Sequence, residues 1–468
     1  MALKDIDHIV FVMLENRSFD HMLGYLSLDE TAGKLPVDGL RSDESWKASY
    51  TNVVGGRQYP IKKISGAQEI RHDPPHGRET IDRQINTAPA GPGPPKMGGF
   101  VETYLKAHPK APDPGLVMGY YDAKDVPSYD FLARNFCVCD RWFTSLPLGT
   151  QANRLMAMAG ESLVVDNVTG LPSQKLVYDW LEERNVSWRV YVSGGYAPFF
   201  IMMRRWSLRV VKSLGLGNGP FRRFSKFRDN WKNAAEMPSV IFIEPEYADA
   251  PMSDPNDDHP PAPIFKGQDF LREIYGIITS NPARWQKTLM IVTYDEHGGF
   301  FDHVPPPALP TTIGDVTLAT MGPRVPALLV SPHVGEGQVF SEPLDHTSFL
   351  ELLAERFGSG GAYSPAVAAR QASLGRIRNA LLEEARTGKA PSMPPKPPRV
   401  GPAMRTVARP TAPDTPNAAG VDAIMRDLAK EHPELINQPG WEEMRAYLET
   451  NEPPVPEHRD NLGDADDL

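Results

Sequence analysis

Cysteine is almost missing from this chain: of 468 residues, only Cys137 and Cys139 carry a thiol. Two thiols one residue apart cannot close a disulfide of ordinary geometry, and they cannot supply a four-cysteine zinc centre. No apolar run approaches the roughly 18 residues that a membrane-spanning helix needs. An excess of positive charge is missing too, since 49 Lys and Arg stand against 59 Asp and Glu, a net charge of −10. That balance argues against a nucleic-acid binder. There is no internal repeat. The opening residues Met1 to His8 run into an apolar strand without a signal-peptide h-region or a twin-arginine pair. The expectation is a cytoplasmic protein, with export by a signal-independent route left open.

What is present belongs to a large soluble α/β protein. Hydrophobic residues make up 41% and charged residues 23%, both ordinary for a globular chain. Proline, at 47 residues, is about twice its usual share and implies long, stiff loops. The most informative stretch is Leu289 to Tyr294, a buried strand by its continuous apolar and β-branched character. It stops at Asp295-Glu296-His297, and Gly298-Gly299 turns the chain away. Open α/β sheets place their chemistry at such strand ends. Two adjacent carboxylates repel, so keeping both ionised calls for a cation, unless the turn is simply solvated.

A second strand, His8 to Leu14, ends in Glu15-Asn16-Arg17-Ser18, where Ser18 can cap a helix running to about Leu26. Glu15 and Asn16 add two hard oxygen donors. Ser239 to Ile243 is a third strand, followed by Glu244 and an acidic loop that contains Asp258-His259. Thr150 to Gly160 reads as a helix with glycine at its end. Thr150 stands at its N-terminus, where free N–H groups and the helix dipole favour an anion; a plain capping role would explain it equally. His76 lies in a Pro-rich loop, a position that is commonly structural. Helices are expected at Tyr129 to Asn135, Leu176 to Arg184 and Phe265 to Ser280. Strands are expected at Phe136 to Asp140, Val186 to Val192 and Val325 to Ser331. Asp345-His346-Thr347-Ser348 opens a further helix with a capping box from Ser348 to Glu351. Strands alternating with helices predict a mainly parallel, doubly wound sheet.

Residues 196–236 differ from their acidic surroundings. Between Arg204 and Lys232 nine basic residues face one acidic residue, with Trp206, Phe221, Phe224, Phe227 and Trp231 interleaved. Two readings fit: a hinged lid that touches an anionic membrane surface transiently, or a helical insertion with its aromatics buried and its charges paired. Residues 386–417 form a Pro-rich strap or linker. Residues 418–468 form a helical and acidic tail with short helices at Val421 to Glu431 and Trp441 to Leu448. Strap and tail offer no metal-ligand cluster and are expected to be peripheral to the chemistry.

Several ordered stretches together resemble the bacterial phosphoesterase family, the phospholipases C and related acid phosphatases of the alkaline phosphatase superfamily. They are Glu15-Asn-Arg-Ser-Phe-Asp-His-Met-Leu-Gly24, Val117-Met-Gly-Tyr-Tyr-Asp122, Cys139-Asp-Arg-Trp-Phe143, Asn153-Arg154, Asp295-Glu-His-Gly-Gly299 with Asp302-His303, and Asp345-His346-Thr347-Ser348. The resemblance implies an α/β/α sandwich around a mainly parallel sheet, alkaline phosphatase-like, with a catalytic domain over 1–385 and a Pro-rich C-terminal extension. It implies a divalent metal, zinc by preference, held by Glu15, Asn16, Asp295 and Glu296, with Thr150 as ligand and nucleophile. It places His76, His259 and Asn153 among the catalytic residues, and Asp258, His303 and His346 as loose candidates for a second metal. Gln151-Ala152 departs from the family's Asn-Pro at those positions.

The function implied is hydrolysis of a phosphate ester, foremost a phospholipid cut by a phospholipase C through a phosphothreonine. A broad acid phosphatase is the alternative within the class, and a non-catalytic lipid- or metabolite-binding protein the alternative outside it. Nothing near Thr150 matches the nucleophile motif of sulfatases.

Overall fold

The computed structural model describes residues 2–28, 33–66, 70, 72–88, 96–194, 198–250, 254–399, 415–438 and 441–450. Much of the Pro-rich strap, the acidic end of the tail and the first two residues of the 196–236 segment lie outside the described residues. Among them, no helix is long and apolar enough to cross a membrane.

The core is one eight-stranded sheet. Its strands are β1 (His8–Leu14), β2 (Cys137–Cys139), β3 (Trp188–Val192), β4 (Phe221–Arg223), β5 (Val240–Glu244), β6 (Thr288–Tyr294), β7 (Ala327–Val330) and β8 (Gln338–Phe340). Their order across the sheet is β8-β2-β7-β6-β1-β5-β3-β4. Only β7 runs against the others. The mainly parallel α/β sheet read from the sequence is therefore present.

The helices that cover it include α1 (Pro127–Asn135), α2 (Thr150–Ala159), α3 (Arg204–Leu216), α4 (Phe227–Asn233), α5 (Phe265–Ile278), α6 (Thr347–Phe357) and α7 (Pro416–Glu431). Successive strand side chains point to opposite faces, and β1 shows what lies on each. Phe11 stacks on Phe349 of α6 at 4.1 Å between ring centroids, whereas His8 meets Trp231 of α4 edge-on at 5.4 Å. Helices α2 and α6 pack together on the first face, and α1, α4 and α5 form the second layer.

The centre of the sheet positions the site through register. Strands β1 and β6 pair in parallel from His8 with Thr288 to Leu14 with Tyr294. Both are buried along almost their whole length, which is why neither alternates with polar residues. Because they end level, Glu15 and Asp295 emerge side by side. Asn16 then takes a left-handed backbone, with φ of 65°, a conformation that Asn tolerates better than most residues. The turn after β6 lies directly on it. A Cβ at Gly298, whose φ is 61°, would fall 2.2 Å from the Asn16 carbonyl oxygen, so glycine is required there.

Several local expectations are corrected. The helix capped by Ser18 is only Phe19–Met22, followed by a 3-10 turn over Gly24–Ser27. Helix α6 does not use the Ser348 capping box. Its start is held by Asp345, whose Oδ1 accepts from the Thr347 amide at 2.8 Å and from its hydroxyl at 2.6 Å.

The 196–236 segment is no hinged lid. Its β4 is an edge strand of the main sheet, paired in parallel with β3. Trp206, Phe221, Phe227 and Trp231 are buried. Arg204 pairs with Asp427 and Glu431, Arg205 with Asp179, Arg209 with Glu182 and Arg228 with Glu273. Buried aromatics and four paired guanidinium groups favour the second of the two sequence readings.

The described part of the strap lies along α5. Tyr275 and Arg272 donate to the carbonyls of Pro391 (2.8 Å) and Pro394 (2.7 Å), and Ser128 donates to that of Pro395 at 3.2 Å. Helix α7 packs on α3.

Candidate active site

Glu15, Asn16, Asp295 and Glu296 are all buried at the carboxyl ends of β1 and β6. A hydrogen bond from the Asp295 amide to the Leu14 carbonyl, 3.1 Å, and one from the Arg17 amide to the Glu296 carbonyl, 3.1 Å, extend the ladder past the strand ends. Helix α2 approaches from the first face. Its Arg154 places Nη2 3.0 Å from Glu15 Oε1 and Nε 3.2 Å from Asp295 Oδ2, while Nη1 donates to the Tyr247 hydroxyl at 3.0 Å. The guanidinium also lies over the rings of Phe199 and Tyr247, 4.8 Å from each. Residues i and i+4 share a helix face, so Thr150 stands one turn nearer the helix mouth on the Arg154 side. Thr150 is itself buried, preceded by Gly149 in extended conformation. A Cβ on Gly149 would lie 3.4 Å from the carbonyl oxygen of His76.

Two histidines line the approach. His259 sits between carboxylates, its Nδ1 donating to Glu15 Oε2 at 3.0 Å and its Nε2 3.2 Å from Asp73 Oδ2. His76 Nε2 lies 3.3 Å from Glu296 Oε1, and the two imidazole centroids are 6.0 Å apart. Donor atoms of Asp73, His76 and His259 lie within 4.8 Å of one another, as do those of Glu15, Asp257 and His259.

The electrostatics are those of an acid-rich pocket with too little cation. Burial pushes Asp295 up to about 7, with Arg154 opposing and Glu15 adding to the rise. Burial likewise pushes Glu296 up to about 8, against the pull of His76. Burial would also raise Glu15, but Arg154 and His259 together hold it below its ordinary value. His76 is lifted to about 9 because Glu296 and Asp73 outweigh its desolvation. His259 is raised well above the imidazole range, its desolvation overcome by Asp73 and Glu15.

Asp73-His76-His259 and Glu15-Asp257-His259 each converge closely enough to hold a divalent cation, whereas Glu15, Asp295 and Glu296 do not form such a group among the described residues. Asn16 is fully buried, yet neither its Oδ1 nor its Nδ2 has a hydrogen-bond partner. Glu296 Oε1 is also without an aligned donor. Buried polar atoms are satisfied in the great majority of cases, so an idle amide oxygen beside raised carboxylates marks a place for a positive ion.

Other expected residues fall elsewhere. Asn153 does not face the pocket. Its Oδ1 accepts from the Leu146 amide, and its Nδ2 donates to the carbonyls of Leu146, Leu148 and Gly149, so it shapes the loop before Thr150. The second-metal trio is not brought together. Asp258 Oδ2 accepts from the hydroxyls of Tyr129 and Tyr294. His346 spends Nε2 on the Asp295 carbonyl at 2.7 Å and Nδ1 on the Trp142 indole at 3.2 Å, and burial drops its pKa to about 4. His303 belongs to a separate cluster with Asp20, Asp38, Asp302 and Arg324. His297 turns from the carboxylates to Gln84, its Nε2 2.9 Å from Gln84 Oε1.

The phosphoesterase family profile matches residues 6–359. The chain belongs to the phosphoesterase family. Within it, the chain is 34% identical over 357 residues to non-specific phospholipase C1 of Arabidopsis thaliana, an alignment that covers 72% of this chain and 63% of that protein. It is 32% identical over 413 residues to phospholipase C B of Mycobacterium tuberculosis, covering 76% of this chain and 74% of that protein. The chain thus spans somewhat under two-thirds of the length of this plant relative. A solved protein of the alkaline phosphatase superfamily from Vibrio parahaemolyticus is 12% identical, with a TM-score of 0.32 over 54% of this chain and 64% of its own.

Several residues that the fold brings to the pocket have no role legible in the sequence. Arg154 was visible only as a motif neighbour of Asn153. Asp73 and Asp257 each stood two or three residues from a noted histidine, and that spacing was the available signal. Tyr247, three residues beyond β5, carried no signal.

Proposed function

We propose that this chain is a metal-dependent phosphoric ester hydrolase, a phospholipase C that acts on glycerophospholipids through a phosphothreonine at Thr150. One observation carries the reading. The helix that begins with Thr150 sends Arg154 onto Glu15 and Asp295, the carboxylates of both strand ends, which supports reading the hydroxyl and the cation-seeking donors as one site. The names of the plant and mycobacterial relatives point to phospholipid as the substrate class.

A divalent ion held by Glu15, Asn16, Asp295, Glu296 and Thr150 would lower the hydroxyl pKa and neutralise phosphoryl charge. Every other task falls to the chain. The amides at the free end of α2 face an anion favourably. Thr150 Oγ1, its proton given up to solvent, attacks phosphorus in line, the bond to the diacylglycerol oxygen breaks, and His76 or His259 hands that oxygen a proton. Water, deprotonated by the same imidazole, then attacks the phosphothreonine, releasing the phosphorylated head group and restoring the hydroxyl. Asp73 and Glu15 keep the His259 ring oriented through the sequence.

The test is turnover by the purified, metal-loaded chain on phosphatidylcholine and on para-nitrophenyl phosphate, with acid-quenched protein searched for phosphate on Thr150. Preference for the lipid with label on Thr150 is expected. Turnover of the monoester alone would move the reading to an acid phosphatase, and turnover of neither would leave a binding protein. Zinc is the proposed metal. An all-oxygen donor set also accommodates magnesium, manganese or calcium, so metal analysis of the active protein decides.

A further inference from the structure

Helix α7 lies beyond the 6–359 stretch matched by the family, yet its first turn is wedged against the site. Thr415 caps it by accepting from the Ala418 amide at 3.1 Å, with Pro416 at the first helical position. Asn417 follows and is only 3% exposed. Its Oδ1 accepts from Gln151 Nε2 at 2.8 Å, and its Nδ2 donates to Asp249 Oδ2 at 2.8 Å. A close approach keeps the helix there, since a Cβ at Gly420 would sit 2.4 Å from the Thr169 carbonyl oxygen.

The two partners of Asn417 matter because of where they stand. Gln151 is the residue after Thr150 and is wholly buried. Its remaining side-chain capacity goes to Val168, whose carbonyl takes Nε2 at 2.6 Å and whose amide gives to Oε1 at 2.9 Å. Asp249 belongs to the loop that carries Tyr247, the hydroxyl partner of Arg154, and Ala248, whose amide donates to Asp257. An amide side chain can accept from one group while donating to a carboxylate. Asn417 does both, and so ties the first turn of α2 to the 247–250 loop across the edge of the pocket.

We propose that Asn417 is a positioning residue for phosphoryl transfer, fixing Gln151 and through it the turn that presents Thr150. The C-terminal helix is then a working part of the catalytic body rather than a peripheral tail. The inference rests on the reading of Thr150 as nucleophile given above. Displacing a nucleophile by a fraction of an ångström lowers kcat while leaving ground-state binding in place.

The experiment compares the full-length chain with Asn417→Ala, Gln151→Ala and the double variant. All are assayed on para-nitrophenyl phosphate and on a short-chain phosphatidylcholine, with hydrogen–deuterium exchange recorded in parallel. Each single variant is expected to lose about 10- to 100-fold in kcat with KM within about twofold. The double variant should lose no more than the worse single one, because both remove the same link. Amides of residues 150–153 and 247–250 should exchange faster in Asn417→Ala, while those of α1 are unchanged. Gln151→Ala severs the link from its other end if Asn417→Ala does not fold. Unchanged kcat per folded molecule, even with a lowered melting temperature, would overturn the proposal, and so would additive losses. If the wild-type chain turns over neither substrate, the functional reading fails by itself. The exchange data then decide this inference: faster exchange at 150–153 supports the link, and unchanged exchange refutes it.

Discussion

Two acidic clusters grow from the same two stretches of sequence, and they have opposite characters. Glu15 and Asn16 with Asp295 and Glu296 form the first; Asp20 with Asp302 and His303 forms the second. In the second, Arg324 donates to Asp302 Oδ1 at 2.9 Å and to Asp20 Oδ1 at 3.1 Å. The remaining Asp20 oxygen takes both the amide and Nδ1 of His303 at 2.7 Å. Asp302 Oδ2 takes the Asp20 amide at 3.2 Å. Every carboxylate oxygen there has a donor. In the first cluster, Arg154 approaches two of the three carboxylates, the Asn16 side chain is left idle and Glu296 Oε1 lacks an aligned donor. A closed ion network stabilises the fold. An open one invites a further positive charge and so can do chemistry.

The largest effect expected from breaking this contrast is at Thr150. Thr150→Ala should lower turnover by a factor on the order of 10³ or more, whereas Thr150→Ser keeps substantial activity. The fold should lose no more than about 1 kcal/mol, because Thr150 makes no capping bond. Steady-state kinetics and a melting curve on the same preparation check both halves.

Removing one charge from each cluster should next give unlike results. Asp302→Asn leaves the buried Arg324 with Asp20 as its remaining close carboxylate and should cost up to about 3–5 kcal/mol. Asp295→Asn in metal-stripped protein replaces a carboxyl already raised to about 7, so its stability at pH 8 should match or exceed the wild type. Its metal content, like that of Glu15→Gln, should fall. Denaturant melts of both variants, with metal analysis, make the comparison. Equal destabilisation would mean that the first cluster is as closed as the second.

The pH dependence has the same sign in both clusters and differs in its window and in its response to metal. Glu296 has a folded pKa of about 8 against an ordinary 4.5. The folded state therefore holds its proton more tightly, and metal-free protein should lose stability as pH rises from about 4.5 to about 8. A saturating divalent metal should remove that loss. His303 is raised to about 9 from 6.5 by Asp20 and Asp38 against its own desolvation. Its contribution is full below pH 6.5 and disappears as pH rises through 9, with or without metal. Melting temperatures across pH 4.5–9.5, for wild type and His303→Gln, resolve the two.

The smallest effect concerns the basic segment. Arg204→Glu with Arg205→Glu should reduce activity on anionic vesicles and on a soluble ester alike, because these exposed side chains pair with acids of the same chain and each pair is worth at most about 1 kcal/mol. A loss confined to vesicles would restore a membrane role.

The apolar runs of β1, β5 and β6 were legible because a strand buried on both faces has no polar alternation to confuse its reading. Glycine and capping signals bounded α2 for the same local reason: backbone groups at a helix end must find partners nearby. Ordered motifs identified the family and the residues of its likeness. Register was not legible. That β1 and β6 end level, making neighbours of Glu15 and Asp295, depends on how two strands far apart in sequence pair. Nor could sequence distinguish the open acidic cluster from the closed one, since both read as Asp, Glu and His after an apolar strand. The difference lies in which arginine arrives from elsewhere in the chain, Arg324 beside Phe19 or Arg154 on α2. The same applies to residues 196–236, whose charges looked available until the fold set Asp179, Glu182, Glu273, Asp427 and Glu431 against them. Sequence by itself determined which groups the chain possesses and where its most apolar elements lie. Only the tertiary structure decided which of those groups are already spent on one another, because pairing is a property of distance in space.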